Sequence, residues 1–193
     1  MTARRRTLVL GGARSGKSSW AERQFDECAE VRYVATAAER DDADWAERIA
    51  LHRARRPAHW RTVQTLDLAG VLESVRAPVL IEDLGNWLSR TIDDTGGWDG
   101  HLAGLRQRAD ELVRAWQCCS GTVVLVSNEV GSGVHPATRA GRVFSDELGR
   151  LNTALAADAD EVVLVVAGLP LWLRPPPARP ADSEDSEDCG ESR

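Results

Sequence analysis

Thr7-Leu8-Val9-Leu10 runs directly into Gly11-Gly12-Ala13-Arg14-Ser15-Gly16-Lys17-Ser18, and this stretch decides the fold. Four β-branched or apolar residues in succession predict a strand covered on both faces. The apolar spacing from Lys17 to Ala29 predicts a helix. Between them, Gly11-x-x-x-x-Gly16-Lys17-Ser18 has the Walker A pattern in the strand-to-helix context that the motif requires. Glycines allow a turn tight enough for successive N–H groups to face phosphate oxygens, and the following helix adds the positive end of its dipole. Lys17 is then expected to reach the β- and γ-phosphates, and the Ser18 hydroxyl to bind Mg²⁺. Lys17 is also the only lysine among the 24 Lys and Arg residues of the chain. A compact ammonium fits between phosphates where a planar guanidinium does not.

Outward from this loop, Val31 to Ala35, Val79 to Ile81, Thr122 to Val126 and Val162 to Val166 read as further buried strands. Trp45 to Arg55, Trp98 to Trp116 and Arg139 to Ala157 have helical length and spacing. The alternation predicts an α/β fold with a mostly parallel, doubly wound sheet, a RecA-like nucleotide-binding architecture. Glu82-Asp83 follows Val79-Leu80-Ile81 at a strand's carboxyl end, a Walker B position from which a carboxylate would hold Mg²⁺ directly or through water. Spacing does not separate the two acids. Asn128-Glu129 ends another strand on the same expected ligand edge, where a binding role and a structural turn are both open readings.

The reaction has to come from other polar groups. In Arg48-Ile49-Ala50-Leu51-His52-Arg53-Ala54-Arg55-Arg56, a helix would place Arg48, His52 and Arg55 or Arg56 on one face. Surrounding positive charge disfavours protonation of His52, leaving a neutral imidazole nucleophile beside groups that can neutralise phosphate. On spacing alone, a solvated surface histidine accounts for the same pattern. His59 and His101 read as surface residues, and His135 lies in a glycine-rich stretch that leaves its role open.

At 193 residues the chain has room for one compact domain. Its formal charge of -6 comes largely from the end, where Asp182, Glu184, Asp185, Glu187, Asp188 and Glu191 crowd together. The expected division is a single nucleotide-binding domain over 1–173 and a Pro-rich, then acidic, tail over 174–193 with too little apolar surface to order itself. Arginines are scattered, so no basic stripe predicts a nucleic-acid partner. Cys28, Cys118, Cys119 and Cys189 form no metal or disulfide spacing, and no apolar run is long enough for a signal core or a membrane span. A cytoplasmic setting is expected.

Several segments together resemble the bifunctional adenosylcobinamide kinase/adenosylcobinamide-phosphate guanylyltransferase family of cobalamin biosynthesis. Gly-Gly-Ala-Arg-Ser-Gly-Lys-Ser is similar to its P-loop throughout, and Tyr33-Val34-Ala35-Thr36-Ala37 to its second strand and nucleotide-contacting turn. Arg48-Ile49, His52, Arg56-Pro57 and Trp60-Arg61-Thr62-Val63 match its spacing. So do Ser127-Asn128-Glu129-Val130-Gly131-Ser132-Gly133, Pro136, Arg142, Phe144, Asp146, Gly149 and Asn152. The matches run from about Leu8 to Val166.

The resemblance implies that His52 accepts GMP covalently. It implies that Gly11, Gly12, Ala13, Arg14, Ser15, Gly16, Lys17 and Ser18 bind nucleotide together with Thr36, Ala37, Ala38, Arg53, Ala54, Arg55, Arg56, Gln64 and Glu82. Catalysis would rest on His52 and Lys17, and Mg²⁺ on Ser18 and Glu82. ATP or GTP would phosphorylate adenosylcobinamide, and GTP would then supply GMP to give adenosyl-GDP-cobinamide. A homo-oligomer, specifically a trimer, is implied in the same way. Gln64 stands where the family usually has glutamate, and Asn86 where it usually has threonine. A monofunctional P-loop kinase would use Lys17, Ser18 and Glu82 without His52; a RecA-like module acting on a polymer would need the basic stripe that the chain lacks.

Overall fold

The structure is a computed structural model that describes residues 4–25, 30–36 and 57–176. Among these residues, seven strands form one sheet in the order β3-β2-β4-β5-β1-β6-β7. They are β1 (Arg5–Gly11), β2 (Arg32–Ala35), β3 (Arg61–Gln64), β4 (Val79–Glu82), β5 (Thr122–Asn128), β6 (Glu161–Val166) and β7 (Leu169–Arg174). Every neighbouring pair is parallel except β6 with β7, an antiparallel hairpin at one edge.

Among the described residues, the helices are α1 (Lys17–Arg23), α2 (Leu68–Glu73), α3 (Leu84–Thr95), α4 (Ala103–Cys118) and α5 (Arg139–Asp158). The period-2 alternation of β1 divides the core between the two faces of the sheet. Leu8 and Leu10 pack with Leu68, Leu88, Leu112 and Leu155 from α2 to α5, whereas Val9 joins Trp20, Ala21 and Phe25 of α1 and its turn. That is the doubly wound arrangement, and it explains why the central strands are apolar on both sides.

The apolar runs at β1, β2, β4, β5 and β6 fall where the sequence predicts strands. Arg139 to Ala157 is the α5 helix, with Thr138 accepting from Gly141 N–H as its N-cap. Trp98 to Trp116 is not one continuous helix: Gly100 adopts φ 93, a short 3₁₀ turn precedes it, and α4 starts at Ala103. The Trp45 to Arg55 helix lies outside the described residues, as do residues 26–29 of the first predicted helix and residues 177–193 of the expected tail.

At the amino edge of the sheet, charges fasten β1 to β6. Arg5 makes paired 2.8 Å bonds to Glu161, and Thr7 Oγ1 donates to the same carboxylate at 2.9 Å. The buried Arg6 guanidinium meets Asp160 and the carbonyls of Trp116 and Gln117, with its Cζ 5.6 Å from the Trp116 ring centroid. The opposite, carboxyl edge is thereby left to the loops that carry chemistry.

Candidate active site

Gly11 closes β1 in a place where a side chain has no room: a Cβ would collide with the Ser15 hydroxyl and lie 2.8 Å from the Val165 carbonyl. The chain then turns through Arg14 at φ 58 and Gly16 at φ 90, both left-handed, before Trp20 N–H bonds Gly16 O at 2.9 Å in the first turn of α1. Lys17 is only 8% exposed, and its Nζ lies 3.4 Å from the Gly12 carbonyl, inside the curve of its own loop.

The acid comes from β4, two strands away. Glu82 Oε1 accepts from Ser18 Oγ at 2.5 Å, so the hydroxyl that begins α1 and the carboxylate that ends β4 meet across the carboxyl edge. Glu82 Oε2 is buried with no hydrogen-bond partner. Burial first, and the neighbouring Asp83 charge second, push the Glu82 carboxyl up to about 7 against the pull of Ser18 and Lys17. Asp83 does something else. Its Oδ1 accepts from Asn86 N–H at 2.7 Å as the N-cap of α3. The structure therefore separates two acids that spacing does not, and it places Asn86 in the first turn of α3.

Thr36 is completely buried beside this acid. Its N–H and Oγ1 bond the Glu82 carbonyl at 3.0 and 3.1 Å, and Oγ1 also lies 2.7 Å from the Asp83 carbonyl. Ala35 pairs with Gln64 on one side and Glu82 on the other, so Gln64, Ala35 and Glu82 form one row across the sheet edge. Gly11, Gly12, Ala13, Arg14, Ser15, Gly16, Lys17, Ser18, Thr36, Gln64 and Glu82 thus share the carboxyl edge. Ala37, Ala38, His52, Arg53, Ala54, Arg55 and Arg56 lie outside the described residues. His59, His101 and His135 are all exposed.

Two features of the site are not evident from motif reading. Gly168, at φ 81 in the β6–β7 turn, donates to the Ser15 carbonyl at 2.7 Å. Asn128, at the tip of β5, pairs with Gly11. An αL glycine in a two-residue turn was the available signal for the first; the strand-end position of Asn128-Glu129 was the signal for the second. Among the described residues there is no cluster of three or more His, Cys, Asp or Glu side chains able to hold a metal, and no helix long and apolar enough to cross a membrane.

A glycine-rich loop from β1 into α1, an acid at the end of β4, and β5 inserted between those two strands define a P-loop nucleotide-binding protein of RecA-like architecture. A solved type III secretion system ATPase from pathogenic bacteria has a similar fold, with a TM-score of 0.52 and 12% identity over 87% of this chain and 56% of its own. Sequence comparison goes further. A family model described as cobinamide kinase / cobinamide phosphate guanyltransferase matches residues 7–173. The Bifunctional adenosylcobalamin biosynthesis protein CobP of Pseudomonas aeruginosa is 42% identical over 89% of this chain and 99% of its own length. The protein of the same description called CobU is 42% identical in Escherichia coli and 41% in Salmonella typhimurium, each over 84% of this chain and 96% of its own length. The chain belongs to the cobinamide kinase/cobinamide phosphate guanyltransferase family, whose two activities are both group transfers.

Proposed function

We propose that this protein carries out both steps itself: it phosphorylates the hydroxyl of adenosylcobinamide with ATP or GTP, then transfers GMP from GTP to the product through His52. The observation that carries the first step is the meeting of Ser18 Oγ with Glu82 Oε1 beside the buried Lys17. Phosphoryl transfer asks little covalent chemistry of the protein and much positioning and charge stabilisation. The loop N–H groups of Gly11 to Ser18 hold the phosphates, and Lys17 follows the charge that develops on the γ-phosphoryl oxygens.

The donor set suits Mg²⁺. Ser18 offers a hydroxyl and Glu82 a carboxylate whose second oxygen is buried and unpartnered, so both hard oxygen ligands are already turned to one point. When bound there, Mg²⁺ would neutralise charge on the β- and γ-phosphates. Thr36 fixes the backbone of Glu82, and the row Ala35, Gln64 extends the nucleotide site along the edge; Ala37, Ala38, Arg53, Ala54, Arg55 and Arg56 are the further nucleotide-binding residues that the family resemblance implies.

For the second step, the His52 imidazole attacks the α-phosphorus of GTP and pyrophosphate leaves. The phosphoramidate formed is then attacked by adenosylcobinamide phosphate to give adenosyl-GDP-cobinamide. A covalent relay divides one displacement into two easier ones. The work is done in the cytoplasm by a homo-oligomer, a trimer, on small-molecule substrates and without nucleic acid. Incubation with γ-labelled ATP or GTP, Mg²⁺ and adenosylcobinamide should move label to the corrinoid. Hydrolysis to free phosphate with none on the corrinoid would contradict the kinase step.

A further inference from the structure

In the sheet, β5 lies between the strand that enters the phosphate loop and the strand that ends in Glu82. Its last residue, Asn128, stands level with Gly11, where that loop begins. On the other side, β5 pairs with β4 only as far as Leu125 opposite Ile81. At about 3.3 Å per residue, Asn128 reaches roughly 7 Å beyond the level of Glu82, over the first turn of α3. The side-chain oxygen of Asn128 sits where a Cβ on Gly85 would be. Only glycine at 85 leaves the amide this place.

The backbone beneath that amide is pinned. Glu129 N–H bonds Gly11 O at 3.0 Å, Asn152 Nδ2 donates to the Asn128 carbonyl at 3.1 Å, and Asn152 Oδ1 accepts from the buried Ser127 hydroxyl at 2.6 Å. The side-chain amide takes no part in this network. Among the described residues it makes no hydrogen bond, and Asn128 is partly exposed at the carboxyl edge of the sheet. A neutral donor on a rigid strand end beside a phosphate cradle is preorganised for charge that develops during transfer.

We infer that the Asn128 side-chain amide donates a hydrogen bond to the γ-phosphoryl group while it is transferred, and that Gly85 is a positioning residue that makes room for it. This rests on the kinase reading above. In the step, the corrinoid hydroxyl oxygen bonds to the γ-phosphorus and the bond to the β,γ-bridging oxygen breaks. The nucleoside diphosphate leaves with that electron pair, and the hydroxyl proton passes to solvent. Asn128 gains and loses no atom. Its bond strengthens as charge spreads over the γ-oxygens, so its loss lowers kcat and leaves nucleotide affinity nearly alone.

The test compares full-length wild type, Asn128→Ala, Asn128→Asp and Gly85→Ala. Adenosylcobinamide phosphorylation, ADP binding, labelling by α-labelled GTP and thermal unfolding are measured for each. Asn128→Ala should lower kcat for phosphorylation by about 100-fold to 1000-fold, the range for one lost transition-state donor, with ADP affinity and labelling within about threefold of wild type. Asn128→Asp, of the same shape but without the donor and with a repelling charge, should be slower still. Gly85→Ala should fall like Asn128→Ala without a lower unfolding temperature, because alanine favours a helix. If wild type phosphorylates the corrinoid and Asn128→Ala or Asn128→Asp does so at a near-normal rate, the inference is overturned and the kinase reading stands. If all variants lose ADP binding as fully as turnover, Asn128 is only a structural or ground-state binding residue. Wild type without kinase activity would overturn the reading itself.

Discussion

The N–H of Gly168 donates to the carbonyl of Ser15 at 2.7 Å, and the Gly168 Cα lies 3.1 Å from where a Gly16 Cβ would stand. The β6–β7 turn is therefore a buttress for the phosphate loop. A second contact runs parallel to it: Trp20 of α1 meets Trp172 of β7 edge-on at 5.6 Å. Gly168 sits at φ 81, a conformation that costs an L-residue about 1–2 kcal/mol. Gly168→Ala should lower the unfolding temperature by roughly 2–8 °C for a domain of this size and weaken nucleotide binding with it. Calorimetry with and without ADP checks both; an unchanged ADP affinity would show that the turn does not support the loop.

Among the described residues Lys17 is the buried cation of the phosphate loop, so Lys17→Ala should abolish phosphorylation and guanylylation while far-UV circular dichroism and unfolding stay close to wild type. Lys17→Arg should also be severely impaired, since a fork of donors replaces a point charge in a space curved around the Gly12 carbonyl. Near-normal rates in either variant would show that phosphates bind elsewhere.

Far from the site, the Arg6–Asp160 pair has a pH signature. Burial alone would raise the Asp160 carboxyl, but its bonds to the Arg6 side chain and N–H, together with the Arg6 charge, outweigh this and hold it below the usual range. A depressed folded value means that the stabilisation is complete above the unfolded value of about 3.9 and is lost as pH falls through the folded one. Asp160 is 35% exposed, so solvent screens part of the pair. Asp160→Asn should cost about 1–2 kcal/mol at pH 7, since it leaves the buried Arg6 charge less compensated. The difference from wild type should shrink below about pH 4. Urea titrations at pH 7 and pH 3.5 measure it, and an equal gap at both would refute the assignment.

Arg174 belongs to β7 and not to the tail that composition marks from that residue onward. It pairs with Val162, and its guanidinium donates at 2.6 Å to the carbonyls of Ala156 and Ala159, near the end of α5. Truncation after Pro176 should leave unfolding and both activities nearly unchanged, because the removed composition has little to pack. Truncation after Leu173 should lower the unfolding temperature by several degrees, at about 2–4 °C per kcal/mol. Equal stability of the two would mean that these bonds contribute nothing.

What the sequence makes legible follows from burial. The five inner strands are apolar on both faces because α1 covers one and α2 to α5 the other, and a short, β-branched apolar run such as Val79-Leu80-Ile81 reads as such a strand. The edge strands escape for the opposite reason. Arg61-Thr62-Val63-Gln64 is exposed except for the partly buried Val63 and mixed in character, and Leu169-Pro170-Leu171-Trp172 carries a proline that only an edge strand tolerates. Walker A is readable because its spacing is its geometry. The division of labour between Glu82 and Asp83 is not, since it depends on where α3 begins, and neither is the Gly168 contact, which joins residues more than 150 positions apart. The histidine relay comes from resemblance alone, and residues 37–56 lie outside the described structure.

Incubation of the protein with α-labelled GTP and Mg²⁺ tests the central claim most directly. A phosphoramidate nitrogen can be protonated, which turns imidazole into a good leaving group. One GMP per subunit should therefore be retained in alkali and released in mild acid, unlike an acyl phosphate on Glu82, which hydroxide would cleave. His52→Ala should take up no label and lose guanylyl transfer yet keep much of its kinase activity, because γ-phosphoryl transfer needs Lys17, Ser18 and Mg²⁺ but no covalent histidine. Undiminished, acid-labile labelling of His52→Ala would contradict the account and point to His59 or His135.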